Sequence, residues 1–187
     1  MLRTFIAIPI SAPTRNSLRA AQQALVAQGF RARWTKPDQF HITLKFLGEI
    51  PAPMVESVAE ATEAAIRGWR PFTLSFAGVG AFPDWARPRV LWAGVAAGQS
   101  ALTALAGDVD AALASLGFAR EERPFQAHVT LGRIQQGALQ GAPKGAPPKV
   151  ALAAGPERVG RVVVYESRLT PAGAIYAERH SFTLEEA

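Results

Sequence analysis

His41-Ile42-Thr43-Leu44 is the stretch on which the reading of this chain turns, because it returns as His128-Val129-Thr130-Leu131. The 187 residues include only three histidines, and two of them stand in this frame. Shuffling the chain at its own composition would give two of three histidines a Thr at +2 and a Leu at +3 roughly once in ten thousand trials. The copies lie close to half the chain apart, and each follows a helical stretch and a connecting segment. That is the pattern of an internal duplication, with two lobes related by a pseudo-two-fold.

Working outward, residues 2–9 read as a strand, and Ser11 with Pro13 opens a helix that runs to about residue 28. Leu18, Ala21 and Leu25 take its inner face, with Arg15, Arg19 and Gln22 outward. Residues 31–35 form a short strand and 36–38 a turn, before the first motif strand at 41–46. A second helix spans about 51–67, with Val55, Val58 and Ala65 inward. Strands follow at 72–79 and 89–95, separated by a Pro-rich loop at 82–88 in which Trp85 is the most plausible ligand contact. A third helix, 100–116, precedes the second motif strand at 126–133. Residues 137–148, GALQGAPKGAPP, carry no apolar period and read as an exposed loop or insert. Strands at 159–167 and 174–184 close the chain as a hairpin. Mixed strands and helices with short turns between strand neighbours predict an α+β fold. The expected architecture is two pseudo-symmetric lobes with largely antiparallel sheets around a central cleft, helices outside, in one domain spanning 1–187.

On a strand, residues i and i+2 share a face. His41 and Thr43 therefore point one way and Ile42 and Leu44 the other, and the second copy repeats this. Two such strands packed across a two-fold surround one cavity with two imidazoles and two hydroxyls. In-line displacement at phosphorus needs a base on one side and an acid on the other. Histidine serves as either near neutral pH, and threonine hydroxyls donate to the oxygens on which charge builds. One imidazole per strand, with no nearby acidic cluster in sequence, disfavours a metal site; no metal and no cofactor is expected. His180 lacks this context and reads as a solvated edge-strand residue.

Composition narrows the alternatives. With no cysteine in the chain, disulfides, thiolate nucleophiles and cysteine-based zinc sites are excluded. The apolar start, MLRTFIAIPI, is broken by Pro9 and too short to span a bilayer; a buried strand in a cytoplasmic protein, without membrane contact, is the expectation. The formal charge of +5 is carried mostly by arginine. That suits a phosphate-bearing ligand, and it follows equally from a chain rich in Ala, Gly, Pro and Arg, so charge alone decides nothing.

HITLKFLGE and HVTLGR resemble the paired signatures of the 2H phosphoesterase superfamily, and within it the RNA 2′,3′-cyclic phosphodiesterases, historically called 2′-5′ RNA ligases. The likeness extends over RTFIAIPI (3–10), RWTKPDQFHITLKFLGEI (33–50), GAFPDWARPRVLWAGV (80–95), RPFQAHVTLGRI (123–134) and VYESRLTPAGAIY (164–176). The stretch at 137–148 looks long for its place and bears on substrate access. The resemblance implies hydrolysis of a cyclic phosphate at an RNA end to a 2′-phosphate by a monomer. His41 would protonate O3′, His128 would activate water, and Thr43 and Thr130 would hold the phosphate oxygens. The motifs themselves are nearly symmetric and do not assign acid and base.

Three further residues are candidate substrate contacts. Phe46 and Arg133 each stand five residues after their histidine. Strict alternation puts both on the core side, whereas strand twist would turn them to the pocket rim, where ring and guanidinium stack on bases. An arginine aimed into a core is costly, which favours the pocket for Arg133; for Phe46, core and pocket readings balance. Lys45 shares the face of His41 and Thr43, so it is expected at the rim or in solvent.

Overall fold

Short apolar runs punctuated by Gly and Pro become nine strands and three helices among the residues described by the computed structural model of the chain, 1–134, 147–171 and 173–185. They run β1 (Leu2–Pro9), α1 (Ala12–Ala27), β2 (Ala32–Trp34), β3 (His41–Ile50), α2 (Met54–Ile66), β4 (Phe72–Phe82), β5 (Val90–Ala97), α3 (Gln99–Ala114), β6 (His128–Ile134), β7 (Ala153–Val159), β8 (Arg161–Thr170) and β9 (Gly173–Thr183). Two sheets form, in the orders β3-β1-β8-β9 and β2-β6-β5-β4-β7. Every strand pairing is antiparallel, so the fold is α+β as expected.

The two sheets repeat one plan. Motif strand β3 lies beside β1, then β8, then β9; motif strand β6 lies beside β5, then β4, then β7. Only β2 has no counterpart, and it extends the second sheet past β6. The helices cross between the halves: α1 packs against β6 and β7, and α3 packs against β3 and α2. Each half thus covers the other's sheet.

β1 and β8 are buried on both faces, which is why FIAI and VVVY are continuous apolar runs and not alternations. Ile6, Ile8, Val162 and Val164 belong to the main core. Phe5, Ala7, Val163 and Tyr165 form a second cluster on the opposite face, with Tyr176 against it.

Three expectations need correction. A strand, β7, occupies Ala153–Val159, where only the last residue was read as strand. Its AAGPERV sequence has low strand propensity and a proline, which an edge position tolerates. β4 continues to Phe82, taking that ring out of the loop. Gln22 does not face out. It is buried in α1 and its side-chain amide donates to the Thr35 and Leu131 carbonyls at 2.8 and 2.7 Å, so both of its N–H groups are satisfied. Most of the Gly/Pro-rich stretch at 137–148 lies outside the described residues. No helix among the described residues is long and apolar enough to cross a membrane.

Candidate active site

His41 opens β3 and His128 opens β6. Each is held in the same way. His41 Nδ1 lies 2.7 Å from the Gln39 carbonyl oxygen, and His128 Nδ1 lies 2.7 Å from the Gln126 carbonyl oxygen. A carbonyl only accepts, so Nδ1 carries the proton in both rings and Nε2 is the nitrogen left for chemistry. This carbonyl, two residues before the histidine, is a second feature the duplication repeats.

Around the His41 ring, Phe5 stands at 4.9 Å between centroids and Tyr176 presents its edge at 5.3 Å. Around His128, Phe82 stands edge-on at 5.0 Å and Trp92 at 6.2 Å. These aromatic walls desolvate the imidazoles. Burial is the main cause that pushes both histidines below 6.5, against the opposing carbonyl bonds; the Arg133 charge lowers both, and His128 further lowers His41. The same burial pushes the Tyr165 hydroxyl up to about 12. Burial thus favours the neutral form of both rings.

The strand register explains the rest of the site. In the first lobe Ala7 pairs with Thr43 and Ile6 with Lys45, which leaves Leu44 unpaired. In the second lobe Trp92 pairs with Thr130 and Leu91 with Gly132, which leaves Leu131 unpaired. A β-bulge thus falls one residue after the threonine in both motifs. Beyond it the parity reverses. Leu44 and Lys45 are both buried, as are Leu131 and Gly132, and the next residues, Phe46 and Arg133, return to the exposed side.

Phe46 is 48% exposed and lines a cleft of about 680 Å³ together with Thr43, His128, Phe82 and Phe125. Arg133 lines a neighbouring cavity, and its charge reaches both histidines. Both residues thus lie on the pocket side, against strict alternation.

Lys45 is displaced the other way. It does not sit at the rim. Its ammonium is buried, 2.6 Å from Asp110 Oδ1 and 2.6 Å from the Ala119 carbonyl. Asp110, on α3, also takes Arg120 at 2.6 Å and the Glu121 N–H at 3.2 Å. Burial alone would raise the Asp110 carboxyl, but Lys45, Glu121 N–H and Arg120 hold it below its ordinary value. Lys45 therefore ties the motif strand to α3, with its ammonium committed to Asp110 and the Ala119 carbonyl.

Sequence reasoning missed Phe5, Tyr165, Tyr176 and Phe82, which build the walls, and Asp110. Trp85 packs edge-on against Phe30 at 6.0 Å. His180 Nε2 stands 3.3 Å from Glu56 Oε1 and its ring stacks on Phe182, away from the cleft. Among the described residues no group of three or more His, Asp or Glu side chains is arranged to hold a metal ion.

The family model described as "LigT like Phosphoesterase" matches this chain twice, over residues 8–92 and 94–176. Each interval contains one His-x-Thr motif. A protein of Archaeoglobus fulgidus named RNA 2′,3′-cyclic phosphodiesterase is 33% identical over 187 residues, 97% of this chain and 99% of that one. A protein of the same name from Geobacillus stearothermophilus is 37% identical over 134 residues, 71% of this chain but 42% of the relative's length. A crystal structure of E. coli LigT complexed with 3′-AMP superposes with a TM-score of 0.75 at 25% identity, covering 99% of both chains.

Proposed function

This chain belongs to the LigT-like phosphoesterase family, and from that premise we propose that it hydrolyses the 2′,3′-cyclic phosphate at the end of an RNA to a 2′-phosphate, without a metal ion. The observation that carries the reading is the matched pair of imidazoles. Each has Nδ1 tied to a carbonyl, Nε2 free and a threonine on the same strand face. That constellation suits in-line displacement and little else.

In the proposed reaction, water attacks phosphorus as His128 Nε2 takes its proton. The P–O3′ bond breaks, and His41 Nε2–H gives its proton to O3′. The product carries a 2′-phosphate and a free 3′-hydroxyl, and the two histidines have exchanged protonation states. Thr43 and Thr130 hydroxyls donate to the non-bridging oxygens, and Arg133 offsets their charge. Phe46 stacks on the terminal base. Arg133 opposes the charged form of both rings, and the choice of His41 as acid and His128 as base follows the family resemblance. A 5′-hydroxyl RNA end in place of water would give a 2′–5′ linkage through the same steps. The whole chain acts as one catalytic unit, with one motif from each lobe.

The test is turnover of an oligonucleotide bearing a 2′,3′-cyclic phosphate in EDTA, with the product identified as 2′- or 3′-phosphate. Wild type is expected to give the 2′-phosphate, and His41→Ala and His128→Ala each to lose at least about a thousand-fold in kcat, as removal of an acid or base does. Full activity in either variant sinks the mechanism. Turnover of ADP-ribose cyclic phosphate or 2′–5′ oligoadenylate, but not of the RNA end, would move the chain to another substrate of the family. Binding of a 2′-phosphate end with no turnover by wild type would make it an RNA-end binder.

A further inference from the structure

Beside the catalytic pairs lies a cavity of about 210 Å³ whose lining includes Arg3, Arg33, Lys36 and Arg133, with Trp34 and Tyr176 as its aromatic members. Among the described residues no carboxylate lines it. Among the described residues none of its four cations is ion-paired; the Arg3 guanidinium lies over the Phe46 ring at 4.5 Å. By contrast, Lys45 is paired with Asp110 and Arg161 with Glu178. Here like charges converge on one concave surface, three of them exposed, an arrangement that favours an anionic ligand.

The convergence is built by the one strand without a symmetry mate. β2 adds to β6 in a register that sets Arg33 opposite Arg133 and Trp34 opposite Gly132. The Trp34 ring lies so close over Gly132 that a Cβ there would come within 2.8 Å of it. Glycine at 132 is therefore what lets Trp34 and its basic neighbours reach the rim. Lys36 follows β2 directly, and Arg3 reaches in from β1. Gln39, whose carbonyl holds His41 Nδ1, and Tyr176, whose ring stands against His41, both line the cavity, so it adjoins the His41 side of the reaction centre.

Resting on the phosphodiesterase reading, we propose that this cavity holds the phosphodiester on the 5′ side of the terminal nucleotide, so that the site selects RNA chains over cyclic mononucleotides. A terminal cyclic phosphate placed between the histidines has one covalent continuation, its own 5′ side. That continuation is a monoanion every nucleotide, which is the chemistry an acid-free cluster of arginine and lysine recognises.

The experiment compares kcat/KM for three substrates: a nucleoside 2′,3′-cyclic phosphate, a 2′-O-methyl trinucleotide ending in a 2′,3′-cyclic phosphate, and the same trinucleotide with an uncharged methylphosphonate at its last linkage. Wild type is expected to prefer the charged trinucleotide by about ten-fold or more at low salt, and to lose most of that preference with the methylphosphonate. The double variant Arg33→Gln/Lys36→Gln should lose the same preference, and the salt slope of the trinucleotide reaction should flatten by about one. Both side chains are exposed, and the methylphosphonate arm needs no variant at all. Equal kcat/KM on charged and uncharged linkages, or an unaltered preference in the double variant, overturns the proposal. Turnover of none of the three by wild type would instead sink the phosphodiesterase reading. The cavity is then judged by anisotropy with labelled trinucleotides ending in a 2′-phosphate, where equal Kd for the charged and methylphosphonate linkages overturns it.

Discussion

Replacing Lys45 with methionine separates the two places this side chain has been assigned. At the pocket rim, its loss would lower kcat/KM and leave stability alone. In its buried position, 2.6 Å from Asp110, its loss should do the reverse. Removing one partner of a buried ion pair costs about 3–5 kcal/mol. Asp110 keeps Arg120 at 2.6 Å and the Glu121 N–H at 3.2 Å, so the lower end applies, about 3 kcal/mol. The Ala119 carbonyl also loses its donor, which adds about 1 kcal/mol. With a urea slope of about 2 kcal/mol/M, the midpoint falls by roughly 1.5–2 M. Adding Asp110→Asn should recover part of the loss, because the uncompensated charge is gone. The pH dependence has a definite sign. The Asp110 carboxyl is held below its ordinary 3.8, so its contribution is present above that value and lost as pH falls through the lower folded-state value. Lys45→Met should weaken that acid limb. The assay is urea unfolding followed by far-UV circular dichroism, with kcat/KM measured where the variant is folded. A wild-type midpoint together with a ten-fold loss of kcat/KM would refute the parity argument made from the bulge.

Two further outcomes test the same strands. Arg133→Gln removes a charge that opposes both imidazolium ions, so both histidine pKa values should rise while staying below 6.5, since burial is the larger cause; an NMR titration of the substrate-free protein with neither value moving would contradict the assigned proximity. Gly132→Ala brings a Cβ within 2.8 Å of Trp34 and 3.2 Å of Ala32 and the Arg33 carbonyl. About 2 kcal/mol of overpacking is expected, lowering Tm by about 4–8 °C, and an unchanged Tm in a scanning calorimeter would show that β2 is not held as described.

What the sequence made legible followed from period and repetition. The frame shared by 41–44 and 128–131 located the motif strands, and alternation placed His41 with Thr43 and His128 with Thr130 on one face. Helical stripes and turn residues then gave the element order. The misses share a different cause. A bulge changes parity without a residue type that announces it, since Leu44 and Leu131 look like ordinary core positions. One signal was nevertheless present: a guanidinium at 133 has no place in a core, so strict alternation had to fail between residues 131 and 133. Phe5, Tyr165, Tyr176 and Phe82 reach the histidines only through tertiary pairing, which no local pattern encodes. β7 escaped because an edge strand tolerates a sequence that a central one would not. Gln22 escaped because its two carbonyl partners, Thr35 and Leu131, come from other elements.

The two bulges also bear on how a duplicated site would meet the asymmetric substrate proposed for it. Up to the threonines the halves are alike: the same carbonyl bond to Nδ1, the same His-x-Thr face, the same unpaired leucine. A strictly symmetric pocket would offer phosphorus two identical flanks and no preference for which bridging oxygen leaves. The first residues to return to the pocket after the bulges differ in charge, an apolar ring at 46 and a guanidinium at 133. That difference sets an exposed aromatic ring in one lobe and a fixed positive charge in the other, and the charge lowers both histidines. In the proposed mechanism duplication supplies two imidazoles of the same kind, and the divergence two residues past each bulge is where an asymmetric substrate would meet unlike flanks.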